Sequence, residues 1–594
     1  MNVLATLVLA AQVAGGPAQA TVPSPAPAPQ LPAVPNVAPG YAAPSVTPRP
    51  PGLVGITQTP FVGITLENAV GMALSRNPDL AVAQANRRIA LYQIQAARGA
   101  YDIQLSVQPQ YQYATQPPTN QFFAGPNFTP IVQKTASVGV GASGMLPGGQ
   151  QYSVNASGSQ QYNNTQINTF NPTYPSIFSV SFSQPLGRNS GINNASRQLQ
   201  LAQINSLSVS AQTLTTASTT ISQVENSYWD LVAAWRNVAI QEQALKDTIT
   251  QQHSNVRLAR QGASAPIDVV QANNQIAVFQ ENVFAALQNV AALQNQLKSE
   301  LLADPNDPIW NANLVPTTPV LQLPQEPALT DLVLQALKNR PEIAQIRTLR
   351  STADVNLAYA QNQTKPQVDL QLGYTSNGFA GTAVNPASSP FLLSSIQQFN
   401  AINQLIAAVN ALTPPAQHIT PLPNTNAPTP AYLQGGLGQS ISNLLSNKFP
   451  VYTAGFVVTL PVGNTTARAD LAAAQEQERS AQIQEASTIQ RVTLDVRNAL
   501  QAYQSAQARL VAAGTARATS EEVLASEVRR FHAGASTTFL VLQREIELAN
   551  NRGLELQAQT DLNKAVVELQ RATGTILTSN NVNVTTVGEG ALKP

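Results

Sequence analysis

Two hydrophobic periods take turns along the chain. From Ile103 apolar and polar residues alternate, with Ile103, Leu105, Val107, Tyr111 and Tyr113 on one side of an extended backbone and Gln104, Ser106, Gln108, Gln110 and Gln112 on the other. The same period recurs at Phe178, Val180 and Phe182 against Ser179, Ser181 and Ser183, and at Val368, Leu370, Leu372 and Tyr374 against Asp369, Gln371 and Gly373. A fourth run sets Tyr452, Ala454, Phe456, Val458 and Leu460 against Val451, Thr453, Gly455, Val457 and Thr459. Each is close to the roughly 9 to 11 residues that a tilted membrane-spanning strand needs. Two weaker alternations, near Val138 to Val140 and Tyr152 to Val154, flank Pro147-Gly148-Gly149 and predict an added hairpin in the first half.

Between the strands the period lengthens to three and four. From about Asn194 to Gln261 there is no proline, and apolar residues return at Val224, Tyr228, Leu231, Val232, Trp235 and Val238. A helix of that length reaches roughly 100 Å at about 1.5 Å per residue. The run from about Ala467 to Ala533 matches it, and each is followed, after a short break, by another helical stretch, Asp268 to Leu301 and Leu540 to Arg571. Seams such as Ala472-Ala473-Ala474-Gln475 and Ala285-Ala286-Leu287-Gln288 predict close coiled-coil packing with few interhelical ion pairs, with Trp229 and Trp235 as packing residues.

The breaks read Arg257-Leu258-Ala259-Arg260-Gln261-Gly262-Ala263-Ser264-Ala265-Pro266 and Arg529-Arg530-Phe531-His532-Ala533-Gly534-Ala535-Ser536-Thr537. Glycine after a helix permits the left-handed cap, and Ser or Thr next to it caps the helix that follows, so each break predicts a helical hairpin turn. A turn at the far end of a long hairpin is also a place for a partner protein to dock.

The chain contains its pattern twice. Leu66, Ala73, Leu74, Pro78, Ala90, Ala97, Gln104, Gln108 and Tyr111 recur as Leu329, Ala336, Leu337, Pro341, Ala353, Ala360, Gln367, Gln371 and Tyr374, each displaced by 263 positions. Val256, Arg257, Gly262, Ala263, Ser264, Val269 and Gln271 recur as Val528, Arg529, Gly534, Ala535, Ser536, Val541 and Gln543, displaced by 272. A duplicated unit this long implies two structurally equivalent halves.

Composition narrows the class. Only 11% of residues are charged and the formal net charge is +1, which argues against nucleic acid as a partner. There is no cysteine, hence no disulfide framework, thiol nucleophile or Cys-ligated metal. His253, His418 and His532 stand in no metal-ligand spacing, and no phosphate loop or nucleophile elbow is present, so neither an enzyme nor a cofactor or metal site is expected. The apolar stretch Val3 to Val13 followed by Ala18-Gln19-Ala20 predicts a signal peptide over 1–20, though no Lys or Arg precedes it, and a Pro/Ala-rich linker follows over 21–60. No apolar run of about 20 residues lies beyond position 20, so membrane insertion is expected through strands. A soluble sandwich with one wet face gives the same alternation. The Gln and Ser character of the polar faces, set between very long helices, favours a barrel with a polar lumen.

Two copies of strand, long helix, Arg-x(4)-Gly turn and long helix resemble the outer-membrane efflux protein family typified by TolC. The resemblance covers roughly residues 61 to 578 and includes the short-helix openings Leu66 to Leu80 and Leu329 to Ile343, and the strand exits Pro185-Leu186-Gly187 and Pro461-Val462-Gly463. It implies an α+β, mainly α fold: a homotrimeric β-barrel with about four strands per chain, 12 in all, continued by a coiled-coil periplasmic tunnel. It divides the chain into a first repeat over 61–310, a connecting segment 311–327, a second repeat over 328–578 with an insertion 377–448, and a tail 579–594. On this pattern the added first-half hairpin is expected to extend outward as a surface structure.

The resemblance further implies an exit duct of a tripartite efflux or type I secretion system in the cell outer membrane, working with a periplasmic membrane-fusion adaptor and an inner-membrane pump or ABC exporter. The adaptor-facing positions carried over are Arg257, Gly262, Ala263, Ser264, Arg529, Gly534, Ala535 and Ser536. Where the family often places carboxylates six and nine residues after the second glycine, this chain has Leu540 and Gln543, which points to a gate closed by apolar and amide groups. Asp268, six after Gly262, is the remaining gate candidate, or a residue that only favours its helix N-terminus. The insertion, with its apolar segment Phe391 to Leu412, is expected as an oversized external loop, or alternatively as a plug over the outer mouth. An exported coiled-coil surface or adhesion protein without a pore is the alternative to the duct.

Overall fold

The computed structural model describes residues 61–119, 121–124, 127–165, 167–262, 264–319, 328–385, 390–423 and 429–582, apart from the side chains of 121, 122 and 390–392. The signal peptide and linker expected over 1–60, part of the connecting segment, Ala263 and most of the tail lie outside these residues.

In chain order the first half comprises β1 (Phe61–Ile64), α1 (Leu66–Arg76), α2 (Pro78–Arg98), β2 (Gln104–Gln116), α3 (Gln121–Ala124), β3 (Ile131–Met145), β4 (Gln151–Asn163), β5 (Phe170–Pro185), α4 (Asn194–Arg260) and α5 (Pro266–Leu301). The second comprises β6 (Asn313–Pro316), α6 (Leu329–Asn339), α7 (Pro341–Gln363), β7 (Gln367–Ala383), α8 (Pro390–Leu412), α9 (Leu437–Leu445), β8 (Phe449–Thr459), α10 (Thr465–His532), α11 (Thr538–Thr573) and α12 (Ile576–Ser579). The duplication is metric as well as ordinal. The long helices have 67 and 68 residues, and their return helices 36 each.

Local chemistry sets the boundaries. Asn77 ends α1 and its side chain accepts from the backbone N–H groups of Asp79 and Leu80 at the start of α2, where Pro78 needs no donor partner. Asn193 and Ser196 form a reciprocal capping box at the start of α4. Gly574, at φ +71°, closes α11 in the left-handed conformation.

Two apolar cores lie along the helices. One gathers Ile64, Val70, Leu80, Ile221, Tyr228, Trp229, Leu231, Leu297 and Leu314 from β1, α1, α2, α4, α5 and β6, and the other gathers Leu332, Ile343, Val492, Val496, Tyr503 and Leu569 from α6, α7, α10 and α11. Trp229 is fully buried, and the Trp235 Nε1–H donates to the Leu314 carbonyl at 2.9 Å, so both indoles are packing residues. β1 pairs in parallel with β6, tying part of the connecting segment to the start of the first half. By length and composition α5 is apolar enough to cross a membrane, at a mean hydropathy of 1.2. Its Val283, Ala286 and Val290 are instead buried in the core shared with α4.

The remaining six strands form one antiparallel sheet in the order β2-β3-β4-β5-β7-β8. The expectation of about four strands per chain is corrected here to six. The hairpin β3–β4 does not stand off as a surface structure but sits inside the sheet, between β2 and β5. Its two strands run 15 and 13 residues, as long as their neighbours, and pair with each other without a break from Gln133 opposite Asn163 to Met145 opposite Gln151.

Candidate functional site

Cross-strand partners share a face, so the register assigns every strand residue to one of two surfaces. Leu105, Val107, Tyr111 and Tyr113 of β2 align with Ala142, Val140, Ala136 and Lys134 of β3, then with Val154, Ala156, Gln160 and Tyr162 of β4. Through Val180, Phe178 and Phe182 of β5, Tyr374 and Leu372 of β7, and Tyr452, Ala454 and Phe456 of β8, the same surface continues across the sheet. It is predominantly apolar and largely bare: Leu105 is 78% exposed, Tyr452 71% and Phe456 66%. No second sheet covers it among the described residues, which removes the sandwich and leaves hydrocarbon as the medium that suits it. Lys134 Nζ lies 5.8 Å from the ring centres of both Tyr113 and Tyr162, a cation–π cluster of the kind found where a lipid-facing strand meets the membrane interface.

The opposite surface carries Gln108, Gln110 and Gln112 of β2, Thr135 and Ser137 of β3, Asn155, Ser157 and Ser159 of β4, Ser179, Ser181 and Ser183 of β5, Gln371 and Thr375 of β7, and Thr453 of β8. Asp369 is its one charged residue among the described strands. This wall is amide and hydroxyl, wet and nearly neutral.

The insertion is more than an external loop. Its C-terminal part returns as α9, which lies on the apolar surface across β4, β5 and β7, where Gly158, Ser176, Ser376 and Gly378 leave room for a helix backbone. The Ser376 hydroxyl donates to the Leu444 carbonyl at 2.8 Å, and Asn443 donates to the carbonyls of Phe379 and Tyr432. Thus the polar side of α9 is buried against the sheet, Leu437 lies over Gly158, and Ile441 and Leu445 face outward.

At the other end of the molecule the two turns are built as the spacing predicts. Gly262 and Gly534 adopt φ of +71° and +69°, with open space around each. Asp268 Oδ2 accepts from Ser264 Oγ at 2.5 Å and from the Ala265 backbone N–H at 3.2 Å, so this carboxylate is engaged in capping α5. In the second turn Ser536 Oγ is bonded to Glu527, which Arg530 approaches to 3.7 Å. Arg257, Arg529 and Ala535 are exposed, Leu540 is half-buried, and Gln543 is exposed.

Contact between the hairpins comes above the turns, where Ala244, Phe279 and Ala549 pack together and Thr248 donates to Glu545 Oε2 at 3.5 Å. Burial, and secondly the nearby Asp247 carboxylate, push Glu545 up to about 7, against the lowering effect of the Thr248 hydrogen bond. Glu545 is missed by sequence reasoning because its partner Thr248 on α4 lies about 300 residues away in the chain.

Residues 434–575 match the family model described as outer membrane efflux protein. No curated protein matches the chain in sequence. Among solved structures, the outer-membrane channel OprN is 14% identical at a TM-score of 0.57, over 86% of this chain and 90% of that one. The CmeC outer membrane channel of Campylobacter jejuni is 12% identical at 0.55, over 88% and 89%, and the outer membrane protein VceC of Vibrio cholerae 15% identical at 0.55, over 86% and 96%. At these identities the structures establish a shared fold. The match over residues 434–575 and the fold shared with these channels make the chain similar to the TolC-like outer membrane efflux proteins, and its sheet adds a bare apolar surface.

Proposed function

We propose that the chain is the outer-membrane exit duct of a tripartite efflux or type I secretion system, acting as a homotrimer. The observation that carries this reading is a single-layer sheet with one bare apolar surface and one neutral polar surface, continued by two helical hairpins whose long arms of 67 and 68 residues extend about 100 Å. The sheet suits lipid on one side and water on the other, and the hairpins have the length to reach well into the periplasm. The exposed turns around Arg257, Gly262, Ser264, Arg529, Gly534, Ala535 and Ser536 are proposed as the contacts for a periplasmic adaptor, which joins the duct to an inner-membrane pump or ABC exporter. Ala263 belongs to the same proposal by sequence alone. Leu540 and Gln543 are proposed to narrow the entrance. The chain would conduct passively, with energy supplied by the pump. The repeats 61–310 and 328–578 are proposed as its two structural units.

The test is extraction and reconstitution. The purified protein is expected to require detergent, run as a trimer, and give discrete conductance steps in planar bilayers. A folded trimer without conductance would instead favour a coiled-coil surface protein.

A further inference from the structure

Among the described residues two strand edges of the sheet are unpaired: the outer edge of β2 and the outer edge of β8. In hydrocarbon an open edge leaves backbone donors and acceptors unsatisfied at several kcal/mol each, so a membrane sheet must close. The strands alternate in direction from β2 through β8, so β2 leads away from the helices and β8 returns toward them. A β8 edge therefore meets the β2 edge of a second copy in the antiparallel sense, and this head-to-tail contact closes into a ring.

The duplication supplies the register. β5, the last strand of the first half, already pairs with β7, the first strand that the second half gives to this sheet, with Ser183 opposite Gln371 and Ser181 opposite Gly373. The equivalent of β5 is β8, since Pro185-Leu186-Gly187 matches Pro461-Val462-Gly463, and the equivalent of β7 is β2, since Gln371 matches Gln108. Carrying the pairing across puts Thr459 opposite Gln108, Val457 opposite Gln110 and Phe456 opposite Tyr111 of the neighbouring copy. The faces agree independently: Gln108, Gln110, Val457 and Thr459 lie on the polar surface, and Tyr111 and Phe456 on the apolar one.

Nothing sets the hairpin β3–β4 apart from this wall. Its apolar residues Val138, Val140, Val154 and Ala156 continue the lipid surface, and its Ser137, Thr135, Asn155 and Ser157 continue the polar one. Its turn is fastened at the base, where Asn193 Nδ2 donates to the Pro147 carbonyl at 3.3 Å and the Gly191 N–H donates to the Gly148 carbonyl at 3.4 Å. An added Cβ at Gly149, where φ is +91°, would crowd the Asn189 carbonyl at 2.6 Å.

We propose that three copies close an 18-stranded barrel, β8 of each pairing with β2 of the next in the register Val457 to Gln110, with the β3–β4 hairpins as full staves of the wall. Six strands from each of three chains give the number. Because barrel diameter grows roughly linearly with strand number, the bore is about 1.5 times that of a 12-stranded barrel, in the range of porins that hold an aqueous channel. This inference rests on the trimeric duct reading above.

The chain has no native cysteine, so paired substitutions report cleanly. In outer membranes, Gln110→Cys with Val457→Cys is expected to give a covalent trimer reversed by reductant. Gln108→Cys with Ser179→Cys tests the hairpin. If the hairpin stood outside, β2 would pair directly with β5 as β7 pairs with β8, and these positions, equivalent to Gln371 and Gly455, would be opposite each other. In the structure Gln108 faces Gly139, and Ser179 faces Asn155, with two strands between. No disulfide is therefore expected from the second pair. A disulfide there overturns the 18-stranded wall while leaving the duct intact. A native trimer that fails to cross-link through the first pair overturns the closing register, and absence of any trimer overturns both this inference and the reading beneath it.

Discussion

Ser440 of α9 and Ser176 of β5, 264 residues apart, share a hydrogen bond of 2.7 Å on the apolar surface of the sheet, and both are buried. Gly378 lies beside them, and a Cβ there would overlap the Ser440 carbonyl oxygen and the Ser176 hydroxyl. The helix is held by polar groups beneath it and turns Ile441 and Leu445 outward. That polarity is reversed from a helix on a water-soluble protein and fits one that rests against the barrel with lipid outside it.

Gly378→Val should therefore lift α9 from the wall. Overpacking of this kind costs about 1–3 kcal/mol. The variant is expected to melt at lower temperature in detergent and to expose the 429–445 segment to protease while the sheet persists. An unchanged melting temperature and an uncut α9 would show that the helix is not held there.

A second prediction concerns the junction between sheet and helices. The Tyr228 hydroxyl donates to the Ile64 carbonyl at 3.1 Å and accepts from the backbone N–H groups of Thr317 and Thr318 at 3.1 and 3.0 Å. One buried oxygen thus clamps β1 and the end of β6 onto α4. Tyr228→Phe removes it and takes the acceptor from the half-buried Thr318 N–H, while the Thr317 N–H keeps the Ile64 carbonyl, at a cost of about 1 kcal/mol. The denaturant midpoint should fall without a change in the slope of the transition.

The elements were legible in the sequence where one period dominates, and their neighbours were not. Gln110 and Tyr111 announce a strand by their alternation, and Gly262 and Ser264 announce a turn by their backbone needs. In the hairpin Ala136, Gly139, Gly141 and Ala142 occupy places where bulky residues would sharpen the pattern, so the two strands read as weak and their place between β2 and β5 was invisible. The role of α9 was hidden for a different reason: an apolar stripe says that a helix has an apolar side, while only the sheet decides which side is buried. Glu545 owes its environment to Asp247 and Thr248 of another helix, which no local pattern encodes.

Glu545 makes the seam between the hairpins sensitive to pH. Its folded pKa, about 7, lies above the ordinary carboxylate value of 4.5, so between these values the folded protein holds a proton that the unfolded chain has lost. The stabilising contribution is fully present below about 4.5 and is lost as pH rises through about 7. Protection factors of the α4 amides near Thr248, corrected for the intrinsic rise of exchange with pH, should fall from pH 5.5 to pH 8. Glu545→Gln, neutral throughout, should flatten that dependence, whereas an unchanged pH profile would place the sensitivity on another group.

Asp268 is a cap by its contacts, and a cap and a gate respond differently to truncation. Asp268→Ala should cost about 1 kcal/mol, the usual loss for a helix N-cap interaction. The first turn of α5 should exchange its amides faster, with conductance in planar bilayers unchanged. A rise in conductance without a change in exchange would move Asp268 from the helix end to the gate.

The proposed entrance is tested at Leu540 and Gln543, which stand one turn apart on α11 just beyond the cap, where Thr537 accepts from the Leu540 N–H at 3.4 Å. Leu540 is half-buried and Gln543 exposed, so truncating both removes bulk at the tip with little loss from the core. Leu540→Ala with Gln543→Ala is expected to raise single-channel conductance several-fold at unchanged thermal stability, since resistance in series is set by the narrowest section. The ratio of cation to anion permeability should move little, because the polar surface of the sheet carries one charged residue, Asp369, among its described strands, and neither substitution alters charge. Equal conductance in the two proteins would place the narrowest section elsewhere along the duct, whereas a large shift in permeability ratio would mean that charges on the helices, rather than the neutral wall of the barrel, govern which ions pass.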